Sequence, residues 1–145
     1  MDRQEFSAMI KEARESRKVS KYKVHLNSRL TEAQVSYIEC ATRSYGMKNV
    51  IAMLNSLGAV LKATKTSKDI LIDDIEIIPK FLNQSAGTAS RYSISKDTGI
   101  SKTGVKLALE GKAVISVDTF LKLTDYFGYT LSIVDKPSEG KGQPQ

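Results

Sequence analysis

The chain has one cysteine, Cys40, so no internal disulfide can form and a reducing, cytoplasmic setting is expected. No apolar run reaches membrane-spanning length, so no membrane partner is expected. The opening stretch MDRQEFSAMIKEARESRK is charged and has no apolar signal-peptide core. The one histidine, His25, has no cluster of Cys, Asp or Glu around it and is assigned to packing or surface, with no metal. Lys112, in Glu110-Gly111-Lys112, lacks the preceding glycine pattern of a phosphate loop. Asp73 and Asp74 read as a turn, not as an acid/base pair. With no nucleophile, base or metal constellation in view, an enzyme is the least favoured class and no cofactor is expected.

What remains is an ordinary folded composition with a cationic excess. Apolar residues make up 41% of 145 and charged residues 26%, with a formal net charge of +6. That length suits one domain or two small ones. The positive balance favours a polyanionic partner once the fold gathers it on one surface.

The chain repeats itself. Ser20, Tyr22 and Val24 recur as Ser90, Tyr92 and Ile94, a separation of 90 − 20 = 70 residues. The same offset carries Leu30 and Thr31 onto Ile100 and Ser101, and Val35 onto Val105. It carries Leu57, Gly58 and Leu61 onto Phe127, Gly128 and Leu131, with no gap in between. The matches fall on apolar, small and capping positions, which a shared fold constrains.

Each copy reads as short helices. Met9, Ile10 and Ala13 mark an opening amphipathic helix. Ser20 caps a second, and Thr31 with Gln34 forms a capping box for a third, on which Val35 and Ile38 face inward. Val50, Ile51, Leu54 and Leu57 make a fourth, stopped by Gly58. In the second copy Pro79 opens a helix with Phe81 and Leu82, and Ser90, Ser101 and Ser116 cap the next three. Ile70, Ile72, Ile75 and Ile77 look like strand residues, as do Val60 to Thr64 and Tyr129 to Val134. The expected fold is mainly α, with two tandem units joined by a small β element. The first unit spans residues 1–66, a β linker 67–78, the second unit 79–135 and a disordered tail 136–145. Tyr22 and Tyr92 are assigned to helix packing, and Cys40 to a buried site.

The second copy resembles the Cro- and phage-repressor-like (XRE) helix-turn-helix family. The resemblance rests on Tyr92, Ile94, Gly99, Ile100, Ser101, Val105, Ala108, Gly111, Ser116, Thr119, Leu123 and Gly128. The first copy keeps Val24, Leu30, Thr31, Val35, Ile38, Glu39 and Gly58. It departs at Arg29, where the second copy has Gly99, and at His25, Cys40 and Ala41. These departures bear on DNA contact by the first copy more than on its fold.

The resemblance implies that each copy lays one helix across the phosphates and the next in the major groove of double-stranded DNA. The implied base-reading residues are Lys102, Thr103 and Lys106 in the second copy, and Glu32, Gln34, Ser36 and Tyr37 in the first, with Ala33 beside them. Lys102 suits guanine, Gln34 adenine and Glu32 cytosine. Lys21, Arg91, Arg43, Lys112, Thr31 and Ser101 are the implied phosphate contacts, and Arg14, Arg17 and Lys18 add charge. The two reading helices differ in sequence, so an asymmetric target is expected of a transcriptional regulator. The alternative is a protein-interaction or assembly module, of antitoxin or phage-regulator type and with a homodimer or another protein as partner. Leu107 and Leu109 on the second reading helix motivate it.

Overall fold

The computed structural model describes residues 1–111 and 115–137. It is mainly helical, with a small antiparallel sheet. Helices α1 (Arg3–Ser16), α2 (Lys21–Asn27), α3 (Glu32–Cys40) and α4 (Met47–Ser56) lead into strands β1 (Ala59–Lys65) and β2 (Lys68–Ile72). Helices α5 (Ile77–Ala86), α6 (Arg91–Thr98), α7 (Lys102–Glu110) and α8 (Val117–Tyr126) follow, and β3 (Thr130–Asp135) closes the series. The phosphate expectation at Lys112 lies outside the described residues, as does the disordered-tail expectation from residue 138 onward. Residue 136 departs from that expectation. The Lys136 amide donates to the Gly58 carbonyl and its ammonium to Asn55 Oδ1 at 3.1 Å.

The two halves share helix caps at two pairs of equivalent positions. Ser20 and Ser90 each accept the amide three residues on, as do Thr31 and Ser101. The Thr31–Gln34 capping box is complete. Between the paired helices the second half turns on Gly99, with φ at +79°. The first half turns on Ser28 with extended backbone instead, so Arg29 never needs a left-handed conformation. The side-chain bonds of the turn survive this change. Ser28 Oγ donates to the Val24 carbonyl and accepts the Leu30 amide, and Thr98 Oγ1 does the same with Ile94 and Ile100. His25 Nδ1 meets the Leu30 carbonyl at 2.8 Å, where the second half uses Ser95 Oγ and Ile100.

Among the described residues three with a Cβ, Lys18, Ala41 and Thr66, have positive φ, and one of them ends a helix. Ala41 ends α3 at φ +58°, where Gly111 ends α7 at φ +70°. A left-handed conformation costs a residue with a Cβ roughly 1 kcal/mol or more. Ala41→Gly is therefore expected to raise the unfolding free energy by about 1 kcal/mol in urea titration. Gly111→Ala is expected to lower it, since a Cβ there also meets Pro79 Cγ at 2.8 Å. A loss of stability in Ala41→Gly would show that the buried methyl outweighs the backbone term.

An approximate two-fold axis relates the halves. Strand β1 is central, between β2 and β3, and pairs antiparallel with both. In the β1–β3 ladder Lys62 faces Ser132, its own counterpart at the offset of 132 − 62 = 70. A second such pair is the isolated bridge between Gly46 and Ser116. Around it the bonds are reciprocal: Met47 N donates to the Ile115 carbonyl at 2.9 Å, and Val117 N to the Tyr45 carbonyl at 2.7 Å. Reciprocal contacts of this kind are the mark of an isologous interface, here formed inside one chain.

Both halves share one core. Phe6, Ile10, Val24, Val35, Ile38 and Met53 join Ile94, Val105, Phe120 and Leu123 in a single apolar cluster. Phe6 and Phe120 are fully enclosed. Each such side chain contributes about 1.5–3 kcal/mol relative to leaving it in water. Tyr45, near the axis, donates or accepts a 2.6 Å bond with Ser7, and burial pushes its phenol pKa up.

Three features break the symmetry. Helix α1 begins before the stretch equivalent to α5 and crosses to the other half through Arg3–Asp118 at 2.7 Å and Arg17–Asp135 at 2.6 Å. Arg17 is thus held in an ion pair. Strand β2 occupies only β1's outer edge. The linker is also less β than its isoleucines imply. Ile75 lies outside any strand and Ile77 opens α5, because Asp74 accepts the Glu76 and Ile77 amides and starts a helix two residues before Pro79. Pro79 sits in the first turn, where its missing N–H has no intrahelical acceptor to lose.

Candidate nucleic-acid interface

The short helices α2 and α6 pack on α3 and α7, which in turn rest on α1 and α5. Val35 and Ile38, like Val105 and Ala108, point into the core. The opposite faces of α3 and α7 are left to solvent. Glu32, Ala33 and Tyr37 are exposed on α3, as are Lys102, Thr103 and Lys106 on α7. Thr31 and Ser101, at the N-caps, are also exposed. The two-fold relation makes these faces equivalent, and the halves that carry them share one core.

Their chemistry differs. On the α7 side the Lys102 ammonium lies 5.7 Å from the Tyr92 ring centre, and Lys106 and Lys96 are exposed. Arg91 is exposed but pairs with Glu110 at 3.1 Å, so its guanidinium is shared between that carboxylate and any phosphate. On the α3 side the Arg43 guanidinium stacks 4.4 Å from the Tyr37 ring centre. Lys21 donates to Ser36 Oγ at 3.2 Å. Gln34 Oε1 accepts the Thr31 amide at 2.8 Å. That bond is the capping box, and it occupies one of the two lone pairs with which Gln34 Oε1 accepts.

Several expectations need correction. Arg14 is no surface charge: its guanidinium forms 2.6 and 3.0 Å bonds to Glu39 between α1 and α3. Leu109 is buried and offers nothing to a partner, while Leu107 is only half-buried. Cys40 is exposed at the end of α3. Tyr22 and Tyr92 are 56% and 61% exposed, so they do not pack between helices. The helical period contains the reason. Tyr22 stands two residues before the enclosed Val24, and so does Tyr92 before Ile94. Two residues turn a helix by about 200°, so members of such a pair face opposite ways. Leu26, Lys23, Arg29 and Lys96 join these faces by exposure alone. The seventy-residue register was the available signal for them, since Leu26 and Lys96 are counterparts.

Among the described residues no group of three His, Cys, Asp or Glu is placed to hold a metal. Among the same residues no helix is long and apolar enough to cross a membrane. The fold defines a class: a mainly α chain folded as an internal pseudo-dimer on a small antiparallel sheet. No family model, curated protein or solved structure matches it.

Proposed function

We propose that this chain binds double-stranded DNA as a transcriptional regulator, with α2–α3 and α6–α7 acting as two non-identical helix-turn-helix heads. The observation that carries this reading is the two-fold relation between two solvent-facing, N-capped helices, each braced by a shorter helix at its N-terminal side. Duplex DNA is itself locally two-fold symmetric, and successive major-groove faces recur about every 34 Å. A pseudo-dimer within one chain supports engagement of two half-sites without a second copy, at the high effective concentration of a tethered pair. The basic side chains Lys21, Lys23, Arg29 and Arg43 around α3, and Arg91, Lys96, Lys102 and Lys106 around α7, support phosphate neutralisation on both sides.

Selection from a random duplex pool, followed by footprinting, tests this. The expected result is two protected segments about one helical turn apart, with one chain per duplex. Lys102→Ala is expected to weaken the selected duplex by about 1–3 kcal/mol and random duplex by less. Failure to enrich any duplex would overturn the reading. One short segment per chain would leave one head without a DNA role.

A further inference from the structure

We infer that the two heads read chemically unlike half-sites, guanine under α7 and thymine under α3. This inference rests on the duplex-binding reading above and assigns each head its base class. On α7 the solvent-facing donors are ammonium groups. Lys102 and Lys106 lie one turn apart, and among the described residues neither is ion-paired. Lysine donates to the N7 and O6 acceptors that guanine alone presents side by side in the major groove.

On α3 the equivalent positions hold Glu32 and Ser36. The neutral polar groups of that helix are half-buried and already engaged, Gln34 Oε1 with the Thr31 amide and Ser36 Oγ with Lys21. The exposed side chains of the helix are Glu32, Ala33, Tyr37 and Cys40. Tyr37 is 46% exposed with the Arg43 guanidinium over its ring, and Leu26 on α2 is 56% exposed. The one apolar group on a base edge in the major groove is the thymine 5-methyl. Arg43 lies over the Tyr37 ring, and Lys23 and Arg29 are exposed on and just after α2, so positive charge accompanies these apolar groups and complements a phosphate-flanked groove.

The test is a set of protein–DNA cycles on the selected duplex, read by fluorescence anisotropy. Thymines of one half are replaced by deoxyuridine, which lacks the methyl. Guanines of the other half are replaced by 7-deazaguanine, which lacks the N7 acceptor. Each methyl buried by the α3 head is expected to be worth about fourfold in affinity. Tyr37→Ala is expected to erase much of the uridine effect and leave the deazaguanine effect intact. Lys102→Ala is expected to do the reverse. Tyr37→Ala must melt with the wild-type protein, as its exposure predicts. Selected half-sites of identical sequence would overturn the inference while leaving DNA binding in place, as would full uridine sensitivity in Tyr37→Ala. A Tyr37→Ala variant that changes oligomeric state but not DNA affinity would also overturn it, by making the first head a protein surface. Failure of every duplex at low salt would instead remove the DNA reading itself.

Discussion

Replacing Glu39 by leucine is expected to lower the unfolding free energy by about 3–5 kcal/mol, because it strands a buried cation. The Arg14 and Glu39 side chains are 11% and 3% exposed. Glu39 accepts from Arg14 Nε at 2.6 Å and from Nη2 at 3.0 Å, and the Val19 carbonyl accepts from Nη1 at 2.8 Å. The Glu39 hydrogen bond raises the Arg14 pKa against the opposing effect of burial; without it the guanidinium still keeps its proton, as arginine does throughout proteins, and cannot relieve its burial by losing charge. Without Glu39 its remaining carboxylate is the exposed Glu15, 3.8 Å away.

The second half has no charge pair there. At the equivalent positions it holds the exposed Gln84 and the buried Leu109. The double variant R14Q/E39L imports those residues. It is expected to recover most of the loss and to sit within about 1–2 kcal/mol of the wild type. Urea titrations of the four proteins measure the coupling. Strictly additive losses would show that the two side chains contribute independently, and that the second half is no guide to the first.

The second large effect is on binding. If the heads neutralise about six phosphates between them, affinity for duplex DNA falls by about 10³ between 50 and 200 mM salt. Lys21, Arg43, Arg91, Lys102 and Lys106 are the nearest candidates, with Lys23 and Lys96 beside them. Arg91 is expected to contribute less than its charge implies, because Glu110 competes for it at 3.1 Å. The slope of log affinity against log salt, measured for wild type and for Arg91→Ala, checks both statements. A slope near zero would mean that phosphates are not the partner.

Much of this architecture was legible before any coordinates. The seventy-residue register located three of the four helices in each half, because caps and core positions are set by short-range chemistry. Thr31 and Ser101 are N-caps in the structure as in the sequence, and Gly58, Gly111 and Gly128 stand at the predicted helix ends. The helix opening the second half was harder to place. Its isoleucines suit a strand as well as a helix, and the choice fell to Asp74, which starts the turn, and to the core, which takes Ile78.

The candidate site was less legible than the fold. Exposure is a property of neighbours, and a side chain's partners come from distant parts of the chain. Arg14 looked like surface charge until α3 brought Glu39 to it from 39 − 14 = 25 residues away. The tyrosines at 22 and 92 looked like packing residues until the enclosed Val24 and Ile94 fixed which face of each helix turned inward.

The repeat is written in the residue order itself, and the helical units and their caps follow from residues within about four positions of one another. Folding in three dimensions set how the units meet about a two-fold axis, through Lys62–Ser132 and Gly46–Ser116, and left lysines exposed on one of the two helices and Glu32, Ala33 and Tyr37 on its counterpart. The physical reason is range: capping and helical period act along the chain, whereas pairing, burial and the cancellation of charge act across it.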